Sequence, residues 1–232
     1  MDDVTDPLAT APWRRFAVLG DSIAAGVGDP VEGHPDGGWA AALDRARPGL
    51  AYRNLGERGL VAAEVRDRQL DTALAFGPDL AAVSAGGNDL LAPAFDAGGV
   101  EAALDAIVGA LRGAGADVIT FSLFDITAAG LVPEPYAAPL RRRLRALADR
   151  AAAVAARHGA IHLDGMSHPV SADPSIYSAD LTHLNAYGHA VFAAEVLEAL
   201  TVRSGACPGP PASPAARASR RAPRARATSA AT

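Results

Sequence analysis

Phe16-Ala-Val-Leu-Gly-Asp-Ser22 is a short apolar run that ends in Gly20-Asp21-Ser22. It predicts a strand over residues 14–19, apolar through most of its length as a strand buried on both faces should be. A serine hydroxyl becomes a useful nucleophile only with a base that takes its proton, an acid that orients the base, and donors for the oxyanion. Residues 56–59, 86–89 and 180–183 offer candidates for these parts.

Downstream of Ser22, apolar runs typical of buried strands alternate with segments in which apolar residues recur at helical spacing. Further strands are predicted over residues 51–55, 80–85, 117–124 and 160–163, and helices over 39–47, 60–76, 100–111, 139–158 and 186–200. Five apolar strands that alternate with helices indicate an α/β fold, a three-layer sandwich with a parallel sheet covered on both faces. The glycine- and proline-containing segment 23–38 is predicted to be a long loop that shapes the mouth of a site at the carboxyl ends of the strands.

Length and composition favour one domain. The 232 residues suffice for one α/β unit over residues 14–202, preceded by a flexible leader over 1–13. From residue 203 the composition changes to Ala, Pro, Arg and Ser, which predicts a disordered tail over 203–232. The one cysteine, Cys207, lies in this tail, so neither a disulfide framework nor a thiolate metal cluster is expected.

Charge and hydropathy restrict the partners. The net charge is −5, and because the tail carries six arginines and no acid, residues 1–202 carry −11. Such a body should repel nucleic acid. The acidic start has no signal-peptide pattern, and no run approaches the ~20 apolar residues of a membrane span. A soluble, cytoplasmic protein without stable membrane insertion is therefore expected.

Each motif also has an ordinary structural interpretation. Gly20-Asp21-Ser22 could be only the start of a helix, and Asp180-Leu-Thr-His183 could be only a surface hydrogen bond. Asn88 could supply a left-handed turn conformation while Asp89 caps a helix. Order and context favour function, because the motifs follow the first three strands and precede the last helix, where a doubly wound sheet would need them.

In this order the motifs resemble those of the GDSL-type esterases of the SGNH hydrolase superfamily. The matching residues are Ser22, Gly59, Asn88 and His183, with Asp180 as the acid. The resemblance covers about residues 14–200 and departs from the Gly-Asp-Ser-Leu signature only by Ile23. Gly59 is preferred to Gly56 because it is expected to open the following helix, where a backbone N–H points outward.

The resemblance implies a flavodoxin-like fold and the hydrolysis of a small-molecule ester through an acyl-enzyme. Reasoning from the residues gives the same mechanism, with His183 as general base for Ser22 and Asp180 holding the imidazole tautomer. The oxyanion would be bound by the N–H groups of Ser22 and Gly59 and by the amide of Asn88. Neither a metal nor an organic cofactor is required. The ester could be a lipid, a short acyl ester, an acetylated sugar or a thioester.

Three alternatives remain open from the sequence. An acyltransferase could use the same three residues. A metal-dependent phosphoesterase is suggested by Gly20-Asp21, Gly87-Asn88-Asp89 and Gly188-His189, although the clustered ligands of such a site are missing. A binding protein could keep the fold without turnover, but the intact set Ser22, Asp180 and His183 argues against it.

Overall fold

Strands and helices alternate along the chain in the computed structural model, which describes Leu8 and residues 11–205. The strands are β1 (Arg15–Gly20), β2 (Ala51–Asn54), β3 (Leu80–Ser84), β4 (Asp117–Ser122) and β5 (Ile161–Asp164). The helices are α1 (Gly38–Ala46), α2 (Ala62–Phe76), α3 (Gly87–Leu91), α4 (Ala97–Gly113), α5 (Ala137–His158) and α6 (Ala186–Ser204). Short 3-10 segments cover Ile126–Ala129, Pro169–Ala172 and Pro174–Ile176. Within this part of the chain, no helix combines the length and the apolar character needed to cross a membrane.

The five strands form one parallel sheet in the order β2-β1-β3-β4-β5. This is the flavodoxin-like order, in which the chain reverses direction across the sheet between β1 and β3. Those two strands are adjacent, with Gly20 paired to Ser84 at their carboxyl ends. The segments that follow β1 and β3 therefore meet at the carboxyl ends of these strands. Ser22 and Asn88 lie in these segments.

Alternate residues of the strands face two separate helical layers. On β1, Phe16 and Val18 pack in a core with Trp39 of α1 and Val196 of α6. Their neighbours Ala17 and Leu19 pack in the second core, to which α2, α4 and α5 contribute Val65, Ile107 and Val154. Burial on both faces confirms the predicted three-layer sandwich.

All five predicted strands and five predicted helices are present, with ends that differ by at most four residues. β2 differs in character from the prediction, because it lies at an edge of the sheet and its residues are largely exposed. The helix that the sequence did not reveal is α3, whose five residues are too few to show a helical period.

Three of the four described residues of the predicted leader are packed, and for these the expectation of a loose segment is corrected. Leu8, Ala11 and Trp13 are buried in the core that contains Phe16. The Arg47 guanidinium donates to the carbonyl oxygen of Leu8 and, over 2.9 Å, to that of Ala11. These contacts satisfy backbone groups that burial removes from water. The tail was predicted from residue 203, but residues 203 and 204 end α6 and are not disordered. The rest of the leader, and the predicted tail from residue 206 onward, lie outside the described residues.

Candidate active site

The turn after β1 carries Ser22 and is held from two sides. Gly20 has φ +148°, and a Cβ there would lie 2.0 Å from the carbonyl oxygen of Ser84, so only glycine fits. The side-chain amide of the buried Gln69 accepts from Gly20 N over 2.7 Å and donates to Gly20 O over 2.9 Å. Ser22 is therefore presented by a backbone that has little freedom to shift.

Ser22, His183 and Asp180 form a continuous hydrogen-bonded row. His183 Nε2 lies 2.8 Å from Ser22 Oγ, and His183 Nδ1 lies 2.6 Å from Asp180 Oδ2. Because an ionised carboxylate can only accept, Nδ1 carries the proton and Nε2 accepts the Ser22 hydroxyl. Partial burial raises the pKa of Asp180, but the bonds from His183 and from Thr182 outweigh it and hold this pKa below its ordinary value. This arrangement can move the Ser22 proton to His183.

Asp29, in the loop after Ser22, is bonded to both ends of the Asp180–His183 turn. Its carboxylate accepts from Ala179 N over 2.8 Å, and its backbone N–H donates to Ser178 Oγ over 2.9 Å. On the other side of the turn, Ala186 N donates to Asp29 O over 2.9 Å. These three bonds fix the turn that bears the acid and the base to the loop that bears the serine. No motif marks Asp29 in the sequence, so its role could not be predicted there.

His189 makes a second connection between α6 and the Ser22 turn. The imidazole is buried, and its Nε2 donates to Val27 O over 3.1 Å, while Val27 N donates to Ser22 O over 3.0 Å. Burial lowers the pKa of His189 and favours the neutral ring. Among the described residues, no three His, Cys, Asp or Glu side chains are grouped as metal ligands.

Asn88 lies in the first turn of α3 and reaches across to the segment before α2. Its Nδ2 donates to Leu60 O over 2.9 Å, which leaves the second amide hydrogen without an acceptor among the residues described. The left-handed residue of this turn is Gly86, at φ 109°, rather than Asn88. Asp89 caps α2, because its carboxylate accepts from Ala62 N over 2.9 Å. The interpretation of Asn88 as the left-handed turn residue is thus wrong.

Gly59 has a different position from the one that the sequence suggested. Since α2 begins at Ala62, Gly59 precedes the helix and does not open it, and its φ is 84°. Gly56 N donates to Asn54 Oδ1 over 2.8 Å, whereas Gly59 N has no acceptor in the described structure. The N–H of Gly59 is therefore the available donor of the two. Gly59 is connected to Asn88 through its neighbour Leu60, but it does not line the cleft next to Ser22.

Asp21 is a buried carboxyl group directly beside Ser22. It is 2% exposed, and its Oδ1 accepts from Ile23 N over 3.0 Å. Burial raises the pKa of Asp21 to about 6, and the nearby charge of Asp89 also raises it. In the sequence, Asp21 is marked only as the middle residue of Gly20-Asp21-Ser22, directly after a buried strand.

A cleft partly open to solvent brings Ser22, Asn88 and His183 together on one surface. Apolar side chains from α3, from the segment after β4 and from α5 also line it, among them Leu90, Ile126, Leu140 and Leu144. The part of the cleft lined by these four side chains is called its apolar end, and the part around Ser22 and His183 is called its reactive end.

Two arginines of α5 hold the cleft walls together. Arg141 pairs over 2.8 Å with the buried carboxylate of Asp125, which lies next to Ile126. Arg143 donates to Leu90 O and Ala92 O over 2.8 and 2.7 Å. Arg141 and Arg143 therefore anchor α5 to α3 and to the segment after β4, whereas Arg142 and Arg145 are exposed.

Comparisons with known proteins agree with this architecture. A family model described as the GDSL-like lipase/acylhydrolase family matches residues 18–191. No curated protein matches the chain significantly.

Several solved structures resemble the chain. TesA is 25% identical, with a TM-score of 0.63 over 80% of this chain and 97% of that chain. LAE5, an alpha/beta hydrolase enzyme from the metagenome of Lake Arreo in Spain, is 22% identical, with a TM-score of 0.64 over 81% and 94%. The lipase/acylhydrolase from Enterococcus faecalis is 19% identical, with a TM-score of 0.63 over 85% and 99%. The last two similarities concern the fold alone.

Proposed function

The chain belongs to the GDSL-like lipase/acylhydrolase family of the SGNH hydrolase superfamily, and from this premise we propose that it is a serine esterase that acts through an acyl-enzyme. The proposed catalytic residues are Ser22, His183 and Asp180. The proposed substrate is a small-molecule carboxylic ester. Residues 14–202, which are acidic overall, are proposed to be the catalytic domain, without nucleic acid as a partner.

One observation carries the proposal. His183 Nε2 lies 2.8 Å from Ser22 Oγ while its Nδ1 is held 2.6 Å from Asp180 Oδ2. Both distances are within the range that proton transfer between a nucleophile and its base requires. The orientation of the ring is supported further, because Asp180 Oδ1 accepts from Thr182 N and His183 N over 2.9 and 3.1 Å.

In the acylation step, Ser22 Oγ attacks the ester carbonyl carbon and its proton passes to His183 Nε2. The carbonyl π electrons move to the oxygen, which becomes a tetrahedral oxyanion. When this intermediate collapses, the bond to the alkoxy oxygen breaks, and His183 returns the proton to the leaving alcohol. Ser22 is then esterified with the acyl group.

In the deacylation step, water replaces the alcohol. His183 takes a proton from the water as its oxygen attacks the acyl carbon, and it returns the proton to Ser22 Oγ when the carboxylic acid leaves. The proposed oxyanion donors are the N–H groups of Ser22 and Gly59 and the free amide hydrogen of Asn88. No acceptor is bonded to these donors among the described residues, which leaves them free for a developing negative charge.

Ester hydrolysis and covalent labelling test the proposal together. The parent protein should release p-nitrophenol from p-nitrophenyl esters and gain the mass of one phosphonyl group from a fluorophosphonate. Ser22→Ala should lose the label, and both Ser22→Ala and His183→Ala should lose roughly 10⁴-fold or more in kcat.

Ser175→Ala is the matched control, because Ser175 is an exposed serine near the Asp180–His183 turn that does not line the cleft. It should label and turn over as the parent does. Retention of activity within about tenfold by Ser22→Ala would remove Ser22 from the role of nucleophile.

A further inference from the structure

The apolar end of the cleft identifies the part of the substrate that it can hold. Leu90, Ile126 and Leu144 are buried there, Leu140 is half-buried, and these side chains present hydrocarbon to the cleft. We propose that this end binds an unbranched aliphatic acyl chain longer than butyryl, so that the enzyme prefers such esters to acetyl esters. This inference rests on the proposed esterase function.

The free polar groups that line the cleft belong to the reactive centre, namely Asp21, Ser22, Asn88 and His183, whereas α5 contributes Leu140 and Leu144. The lining hydroxyls of Ser122, Tyr177 and Thr182 already donate to acceptors within the protein. A sugar ring or another hydroxylated group would need hydrogen-bonding partners that these side chains cannot supply. A methylene chain needs none, and its transfer from water to this surface is favourable.

The direction of proton transfer assigns the apolar end to the acyl group. The leaving alcohol must lie beside His183 Nε2, which returns the proton to it. Asn88 begins α3, and the same helix supplies Leu90 and Leu91 to the cleft wall. The acyl chain therefore extends along α3 towards α5, away from the Asp180–His183 turn.

Two exposed leucines extend the apolar surface to the rim of the cleft. Leu91 is 59% exposed on α3, and Leu181 is 44% exposed between Asp180 and His183. Leu181 has φ 53°, the one positive value outside glycine among the described residues. Glycine or asparagine suits this conformation better than leucine does, so the turn itself does not require an apolar side chain. An acyl chain that extends along α3 would cover Leu91, whereas Leu181 lies in the turn on the side of the leaving alcohol.

The experiment compares p-nitrophenyl esters from acetate to palmitate on the full chain. We expect kcat/KM to rise roughly threefold per added methylene, mostly through KM, with its maximum beyond butyrate. Leu140→Trp should fill the cleft and lower kcat/KM for octanoate by about tenfold or more while sparing acetate. Arg142→Trp places the same side chain on an exposed position of α5 and should keep the parent profile.

Direct binding provides a readout that does not depend on turnover. Ser22→Ala protein should bind octanoate more tightly than acetate in calorimetric titration, and the added Leu140→Trp change should abolish the difference. Equal binding of the two acids would overturn the proposal.

The outcomes separate this inference from the proposed function. Ser22-dependent activity that peaks at acetate leaves the esterase intact and rejects the acyl-chain site. If kcat/KM rises with the length of the alcohol in a series of alkyl acetates but does not change with the length of the acyl group, the assignment of the apolar end to the acyl group is rejected. If Ser22→Ala hydrolyses every ester as fast as the parent does, the proposed esterase function is rejected. The titration with octanoate and acetate then tests by itself whether the cleft binds an acyl chain.

Discussion

His183 Nε2 lies 2.8 Å from Ser22 Oγ, although 161 positions separate the two residues in the chain. The sheet does not set this distance alone, because Ser22 follows β1 whereas His183 precedes α6. Direct bonds between the two segments set it: Asp29 binds Ala179 and Ala186, and His189 binds Val27. The function proposed above therefore depends on residues that take no part in the chemistry.

Asp180→Asn should lower kcat by about 10³-fold or more while the melting temperature stays near that of the parent. The asparagine oxygen can still accept from Thr182 N and His183 N, but its NH₂ group would face His183 Nδ1. The ring would then favour the tautomer with the proton on Nε2, which cannot accept the Ser22 proton. Steady-state kinetics and thermal unfolding measure both effects.

The control for this change is Asp149→Asn, an exposed acid on α5, which should alter neither quantity. A kcat for Asp180→Asn close to that of the parent would show that another group orients the imidazole.

Asp29→Ala should lower kcat by roughly tenfold or more with a small change in KM and stability, because displacement of reacting groups by about 1 Å can cost 10²-fold. The change removes the 2.8 Å bond to Ala179 N but leaves both backbone bonds of residue 29. Asp29→Asn keeps an acceptor and should recover part of the rate, a recovery that a general loss of folding would not give.

Glu32→Ala is the control for Asp29, since Glu32 is exposed in the same loop. If Asp29→Ala and Glu32→Ala have the same kcat, the loop is positioned without the carboxylate.

Asp21→Asn should make the protein more stable at neutral pH relative to the parent. Burial raises the pKa of Asp21 to about 6 in the folded protein, above the ordinary value of the unfolded chain. The folded protein therefore binds the Asp21 proton more tightly than the unfolded chain does. The contribution of this proton to the free energy of unfolding is fully present below about pH 4 and is lost as the pH rises through about 6. Ionised Asp21 should cost on the order of 3 kcal/mol above that window, and asparagine removes this cost.

Urea unfolding at several pH values between about 4 and 8 measures the Asp21 effect, as the difference in unfolding free energy between variant and parent. Asp71→Asn, an exposed acid on α2, should give a flat difference over the same range. A flat difference for Asp21→Asn as well would mean that Asp21 is hydrated in solution.

The strand and helix pattern could be predicted because its signals are local. Each buried strand is a short apolar run, and each long helix repeats its apolar residues over several turns, as in α5. The motif residues were found because Gly20-Asp21-Ser22 and Asp180-Leu-Thr-His183 lie at positions where a doubly wound sheet gathers its loops.

The remaining features depend on contacts that are distant in sequence. Asp29 is 150 positions from Ala179, and no local pattern marks it as a partner. Gly59 was assigned to a helix start, but the helix begins at Ala62, where the carboxylate of Asp89 caps it. The left-handed conformation of Leu181 follows from the turn between Asp180 and His183 and contradicts the preference of leucine.

Asn88→Ala gives the sharpest test of the proposed oxyanion site. One amide hydrogen of Asn88 holds Leu60 O over 2.9 Å, and the other is free in the cleft that contains Ser22. If the free hydrogen binds the oxyanion, its interaction strengthens as charge develops, so kcat should fall by about 10²–10³ with little change in KM. Since Asn88 lies within α3, alanine suits the backbone there and should not strain it.

A structural role for Asn88 predicts the opposite pattern. Loss of the bond to Leu60 O alone would lower stability by roughly 1 kcal/mol and loosen the segment that carries Gly59, with kcat less affected. Asn88→Asp distinguishes the two roles further, because the carboxylate keeps the shape but cannot donate, and its charge repels an oxyanion. We therefore expect Asn88→Asp to have a lower kcat than Asn88→Ala. A parental kcat in both variants, with a lowered melting temperature, would leave the oxyanion to the backbone donors of Ser22 and Gly59.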